Sequence, residues 1–227
     1  MTVPDHPFAS VDADAMSAQE VLALVLNGVP RVALACSFQK EEAVLVDMAM
    51  AINPATRIFA LDTHVLFPET YAAWAEMEAR YGIKIEVFEG PSLAAQAEAH
   101  GDTLWERDQN ACCGIRKIEP LGRALADLDA WITGIRREQS PTRANAPKLG
   151  WDGSFGLWKA NPIADWTEER VWDYIRERDL PVNALHAKGY ESIGCTHCTA
   201  AGSGREGRWA GSAKTECGLH LAPAETA

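Results

Sequence analysis

No run of hydrophobic residues in this chain approaches the length of a membrane-spanning helix, so a helical membrane protein is not expected. Nothing in residues 1–20 resembles a secretion leader. Residues 1–20 carry Asp5, Asp12, Asp14 and Glu20, with no basic start and no long apolar stretch, which points to a reducing, cytoplasmic setting. Positive charge is scarce: 21 Lys and Arg stand against 32 Asp and Glu, and a net charge of -11 argues against a general nucleic-acid binder. Cysteine is scarce too, with six in 227 residues, and in a reducing compartment structural disulfides are not expected of them. Internal repeats and low-complexity blocks are absent. The length suits one sizeable core with a short appendage, and the hydrophobic share of 47% is ordinary for a globular protein.

What little cysteine there is falls in a pattern. Cys112 and Cys113 are adjacent, and Cys195-Thr196-His197-Cys198 answers them much later. Four thiolates gathered from two segments suit a zinc ion or an iron–sulfur cluster. A single zinc usually takes ligand pairs two to four residues apart, which fits Cys195 and Cys198 only. Adjacent side chains diverge on a helix or a strand, whereas a four-iron cubane offers four separate corners. The spacing therefore places a cluster ahead of zinc, and both ahead of plain buried thiols.

The charge is unevenly spread. The first hundred residues hold five basic side chains against fourteen acidic ones, whereas Arg116, Lys117, Arg123, Arg136, Arg137, Arg143 and Lys148 make a local basic excess around the first cysteine pair. In an acidic protein such a patch suits a small anion.

Along the chain, Ser17-Ala18-Gln19-Glu20 reads as a capping box opening a helix that closes at Asn27-Gly28. Arg31 to Cys36 is a short apolar strand, and Ser37-Phe38-Gln39-Lys40-Glu41-Glu42 leads into a helix through Ala51. Arg57 to Leu61 is a second strand ending at Asp62-Thr63-His64, and Pro68 starts a helix that stops at Gly82. Ile83 to Phe88 is a third strand, Pro91 to His100 a helix, and Ala130 to Ile135 a fourth strand. A looser segment follows Ser140-Pro141, before Thr167 caps a helix to about Arg178. Strands alternating with helices predict an α/β fold with a doubly wound, mostly parallel sheet. Ligands of such a sheet bind beyond the carboxyl ends of its strands, where Ser37, Asp62 and Arg136-Arg137 fall. The expected organisation is one α/β domain over residues 1–199 and a mobile tail over 200–227. The tail begins with the glycine-rich Ala201-Gly202-Ser203-Gly204-Arg205-Glu206-Gly207-Arg208, read as a flexible tether, and carries the lone Cys217.

Ser37-Phe38-Gln39-Lys40-Glu41, Leu61-Asp62-Thr63, Cys112-Cys113, Arg136-Arg137-Glu138-Gln139-Ser140, Cys195-Thr196-His197-Cys198 and Glu216-Cys217-Gly218-Leu219-His220 together resemble the assimilatory adenylyl-sulfate reductases, in that family's order. The fold the resemblance implies is that of the adenine-nucleotide alpha-hydrolases. The activity it implies is reduction of adenosine 5′-phosphosulfate to sulfite and AMP, with thioredoxin as electron donor. It implies a [4Fe-4S] cluster on Cys112, Cys113, Cys195 and Cys198, and Cys217 as nucleophile. It also implies a preference for adenylyl sulfate over its 3′-phosphorylated form, because relatives that use the latter generally lack the two cysteine pairs. His64 stands where the family commonly has glycine, and no role is assigned to it.

The chemistry is coherent by itself. A thiolate attacks sulfur well, AMP leaves as a stable anion, and a second thiol can release sulfite from the resulting S-sulfonate. Lys117, Arg136, Arg137, Arg205 and Arg208 are the cations available to neutralise the phosphosulfate. His220 reads either as a group that favours the Cys217 thiolate by proximity or as an ordinary tail histidine. Plainer roles stand beside these: Ser37 as a helix cap, Arg136-Arg137 in surface ion pairs, His197 as a turn residue, Cys36 as a core residue. One rival is an ATP-splitting adenylating enzyme, but Phe38-Gln39 replaces the two glycines of its pyrophosphate loop. The other is a zinc-stapled binding module. Oligomeric state, homo-oligomers included, is left open by the sequence.

Overall fold

The computed structural model describes Phe8, residues 10–209, Ser212, Lys214, Glu216 and residues 218–220. The chain divides into two compact units, Met1–Ile58 with Asp127–Pro181, and Phe59–Ala126 with Val182–Ala227. Both are of the α/β kind, and three of the four strand pairings given below are parallel.

In the first unit, α1 (Ala18–Gly28) starts at the capping box read from the sequence. Glu20 N donates to Ser17 Oγ at 3.2 Å and Ser17 N donates to Glu20 Oε2 at 2.7 Å. Strand β1 (Val32–Ala35) precedes α2 (Lys40–Ile52), and β4 (Ala130–Ile132), β5 (Leu149–Asp152), β6 (Leu157–Ala160) and α8 (Glu168–Arg178) complete the unit. β1 pairs parallel with β4, β4 pairs parallel with β6, and β5 pairs antiparallel with β6. The β5–β6 hairpin lies in the segment that the sequence reading leaves as a looser stretch. Its strands are four residues each, too short for a clear alternation beside Gly150, Gly153 and Gly156. Apolar faces of α1, α2, β1, β4 and α8 form the core, with Leu22, Leu34, Leu45, Ile132 and Val171 at most 1% exposed.

The second unit holds most of β2 (Arg57–Asp62), which divides at Ile58, then α3 (Pro68–Tyr81), β3 (Glu86–Glu89) and α4 (Leu93–His100). Gly82 ends α3 in the left-handed conformation at φ 64°, as a C-terminal glycine should. β2 pairs parallel with β3, setting Asp62 opposite Glu89. Three short helices follow: α5 (Leu104–Arg107), α6 (Gln109–Cys113) and α7 (Glu119–Leu125). A π-helical turn, Gly114–Ile118, joins α6 to α7 and carries Arg116 and Lys117 inward. Among the described residues no helix is long and apolar enough to cross a membrane.

Residues 199–209 are packed. Thr199 bridges Arg208, Ala200 N donates to Gly207 O at 2.9 Å, and Gly202 N donates to Gly189 O at 2.9 Å. A Cβ on Gly207 would lie 2.1 Å from Ala200 O, so this glycine is required by close approach of two backbone segments. The glycines here close a hairpin where the sequence reading has an open tether.

Candidate active site

The two cysteine pairs meet in the second unit. Asp108 caps α6 by accepting from Ala111 N at 2.9 Å, and the helix ends in Cys112-Cys113. The 195–198 loop is tied to the segment after β2, with Thr196 N donating to Val65 O at 2.8 Å and Cys195 bridging Leu66. One pocket is consequently lined by Cys112, Cys113, Cys195, Cys198, Arg116 and Lys117. The stacked rings of Trp105 and His197, with centroids 4.2 Å apart, also line it. The split spacing of the two cysteine pairs predicts this convergence.

The thiols feel one another. Burial and then the other thiols, Cys195 first, push Cys198 up to about 11. Cys112 is likewise raised by burial, Cys113 and Cys195, against the opposing pull of Arg116 and Lys117. Cys195 goes the other way: burial alone would raise it, but Lys117, the Thr63 hydroxyl and Arg208 more than offset that. Cys195 Sγ and Thr63 Oγ1 are hydrogen-bonded at 3.4 Å. Arg116 is 1% exposed and donates from Nη1 to Thr63 O at 2.9 Å, while its Nε and Nη2 find no hydrogen-bond partner among the described residues. Buried N–H groups beside four thiols suit a sulfur-rich anionic group. Among the described residues no three Cys, His, Asp or Glu side chains are grouped to hold a single metal ion.

Arg208 is buried beside this loop, donating from Nη1 to Ser192 Oγ at 3.1 Å and to Ile193 O at 3.0 Å. Any side chain at Gly194 would collide with it, since a Cβ there would lie 2.4 Å from Nη2. Trp209, 2% exposed, packs on Cys113 with Cys198 and Leu219 around it. Arg205, Arg208 and Lys214 stand 5.8, 4.7 and 5.6 Å from its ring centre. Ser212 Oγ donates to Gln109 Oε1 at 3.0 Å, and Lys214 Nζ donates to Asn110 Oδ1 at 2.6 Å. Arg205 pairs with Glu216 at 2.9 Å. Cys217 lies outside the described residues, and His220 is partly exposed.

Residues 31–201 match the phosphoadenosine phosphosulfate reductase domain. The chain belongs to that family. An adenosine 5′-phosphosulfate reductase of Salinibacter ruber is 47% identical over 79% of this chain and 74% of its own length. One from Geobacillus kaustophilus is 42% identical over 96% of both. A phosphoadenosine 5′-phosphosulfate reductase of Gloeobacter violaceus is 47% identical over 84% of this chain and 82% of its own. Among solved structures, phosphoadenylyl-sulfate reductase from Candida auris, a phosphate complex, superposes with a TM-score of 0.74 at 30% identity, covering 82% of this chain and 92% of that one. Candida glabrata FMN adenylyltransferase shares the fold alone, at 15% identity and a TM-score of 0.58 over 82% of this chain and 63% of that one.

The reductase-family motifs of the other unit take up different partners. Ser37 is exposed and donates to Glu42 Oε2 at 2.7 Å; it does not cap α2, whose cap position is Gln39. Phe38 keeps a left-handed backbone at φ 59° with its ring 2% exposed. Arg136 is buried, pairing with Glu41 at 3.0 Å, Glu138 at 3.1 Å and Glu168 at 2.6 Å. Arg137 donates to Asp14 Oδ1 at 2.7 Å and to Ala146 O at 2.9 Å. In the second unit Asp62 Oδ1 accepts from His64 N at 2.7 Å and from the Tyr71 hydroxyl at 2.8 Å. His64 sits at φ 58°, where glycine is at ease, and its ring pairs with Glu89 at 2.8 Å.

Sequence reasoning missed the parts played by Thr63, Trp105, Arg116 and Trp209. Arg116, in the basic run after Cys113, and Thr63, in the Leu61-Asp62-Thr63 motif, carry a signal. The others carry none until the pocket is folded.

Glu42 supports a pH prediction. Burial, and then the neighbouring Glu41 carboxylate, push it up to about 7, against bonds from Ser37 and the Gln39 N–H. The fold thus favours the neutral acid, so this group's stabilisation is full below the unfolded value of 4.5 and is lost as pH rises through about 7. The substitution Glu42→Gln should gain on the parent chain by on the order of 3 kcal/mol between pH 4.5 and 8. Urea melts across that range check it; a pH-independent difference would refute the assignment.

Proposed function

We propose that the chain reduces adenosine 5′-phosphosulfate to sulfite and AMP in assimilatory sulfate reduction, with thioredoxin as the donor. The observation that carries this reading is the gathering of both cysteine pairs, Lys117 and Arg116 in one pocket, in a chain whose relatives include several named for this reductase activity. Cys112, Cys113, Cys195 and Cys198 would hold a [4Fe-4S] cluster, which when bound supplies a fixed electrostatic field and a covalent staple between the two segments.

The chemistry falls to the protein's own groups. The Cys217 thiolate attacks the sulfur of the phosphosulfate; the bond from sulfur to the phosphate oxygen breaks and AMP departs with the electron pair. Cys217 then carries an S-sulfonate. One thioredoxin thiolate attacks the Cys217 sulfur and expels sulfite, and the second thioredoxin thiol resolves the mixed disulfide, regenerating Cys217. Two electrons pass from dithiol to substrate. Lys117, Arg205 and Arg208 offset the negative charge that would repel the thiolate, and His220 favours that thiolate. Ser37, Arg136 and Arg137 serve the nucleotide end, where Arg136 acts by ordering the Glu41 and Glu138 carboxylates around it.

The test compares adenylyl sulfate with its 3′-phosphorylated form by kcat/KM. A site without a dedicated cation for the extra phosphate should discriminate by about 2–3 kcal/mol, roughly 30- to 150-fold. Equal values would refute the preference, and reversed values would assign the chain to the phosphorylated substrate named for its Gloeobacter relative.

A further inference from the structure

The cysteine pocket has a deep side and a shallow side. Cys112, Cys113 and Cys195 are buried, whereas Cys198 is partly exposed. Trp105 and His197 line the same pocket, yet the tryptophan is partly exposed and the histidine exposed. A side chain that reaches both the pocket and solvent stands at the rim. There the two rings lie nearly parallel, 7° apart in plane, with centroids 4.2 Å apart, too close for a water molecule to sit between them. Each ring is carried by an anchored segment. His197 adjoins Cys198 in the 195–198 loop, which Thr196 N ties to Val65 O at 2.8 Å. Trp105 belongs to α5, where Leu104 is buried and Arg107 Nη2 donates to His100 O at 2.6 Å and to Asp102 O at 3.0 Å. A turn that only joined Cys195 to Cys198 would ask nothing of its exposed side chain, and the reaction written above uses neither ring.

We propose that the Trp105–His197 stack is a cover on the shallow side of the pocket, limiting how fast a small oxidant such as dioxygen reaches a cluster bound there. The inference rests on the reading that the four cysteines hold a [4Fe-4S] cluster. The shell around such a group controls what reaches it from solvent. The deep side is closed by buried cysteines and by Arg116, so the less obstructed route runs past Cys198, where the rings lie. An oxidant enters when the rings part. The fraction of time they are apart is set by the stacking itself, which holds two flat rings together beyond the area they bury. Removing one ring therefore opens the route without touching a cysteine.

The experiment uses the full-length protein, purified anaerobically with its cluster. It is diluted into air-saturated buffer and the loss of visible absorption is followed. Trp105→Ala should bleach about fivefold faster than the parent, within the range that loss of one ring stack carries. Trp105→Phe keeps a flat ring and should stay close to the parent rate. The same decay is then followed under argon, where a cover predicts the parent rate for both variants. A residue that merely braced the loop would speed decay by the same factor with or without oxygen, so equal acceleration under argon would overturn the proposal. So would parent-like bleaching of Trp105→Ala, or a phenylalanine variant that bleaches as fast as the alanine one. If Trp105→Ala retains too little iron to be followed, His197→Ala is measured instead. It removes one ring and leaves α5 intact; it should bleach faster in air alone, and a parent-like rate there is equally fatal. Parent protein without iron or acid-labile sulfide refutes the cluster reading, whereas a cluster-loaded parent with indifferent alanine variants refutes this inference alone.

Discussion

Replacing Cys217 with serine is expected to abolish turnover, a loss of at least about 10⁴-fold, while iron content and nucleotide binding stay at the parent level. The reason is the nucleophile's chemistry. A thiol gives an appreciable thiolate fraction near neutrality and attacks sulfur readily, whereas a serine hydroxyl offers neither property. None of the residues that line the cysteine pocket is altered by the change. Mass spectrometry after mixing parent enzyme with adenylyl sulfate, without thioredoxin, should find one sulfonate on Cys217. The competing site is Cys36, but it is a poor candidate. Burial, and then Glu42, push its thiol well above the ordinary value, and its side chain is 5% exposed. An adduct on Cys36, or an active serine variant, would overturn the assignment.

The second large effect concerns the pocket. Cys195→Ala should leave protein without iron or acid-labile sulfide, colourless, and at least about a hundredfold less active. Cys195 is chosen because Lys117, Thr63 and Arg208 all act on its sulfur, and because its loop is pinned to Val65 and Leu66. Losing it also removes one anionic partner from a pocket where Arg116 already has two buried N–H groups without partners among the described residues. Iron and sulfide assays on anaerobically purified protein check this directly. A fully active parent enzyme with stoichiometric zinc and no iron would establish the zinc-stapled alternative instead.

Much of the scaffold could be read locally. The α1 capping box, Pro68 opening α3, Gly82 closing it and Thr167 capping α8 all use partners within four residues, so the signal and its structural consequence share one window of sequence. The same holds for the alternation of strand and helix that marks the α/β class. The β5–β6 hairpin escaped because short, glycine-bearing strands have no periodicity of their own and are defined by what they pair with. The π-helical turn after Cys113 escaped for a related reason. A helix widens there to bury Arg116 and Lys117, and that need exists only once the pocket does.

Residue identity and spacing picked out the candidate side chains: two cysteine pairs, a lone tail cysteine and a set of cations, because each residue type brings its own acidity, charge and nucleophilicity wherever it sits. Which of those side chains meet was decided only by tertiary structure. Lys117 and Arg208 came to act on Cys195, Arg136 was enclosed by Glu41, Glu138 and Glu168, and Arg205 was handed to Glu216. The physical reason is that, Glu138 apart, these partners lie from 11 to 95 positions away in the sequence, and the strength of each pairing depends on burial. Neither the partner nor the burial is a property of any local stretch of chain.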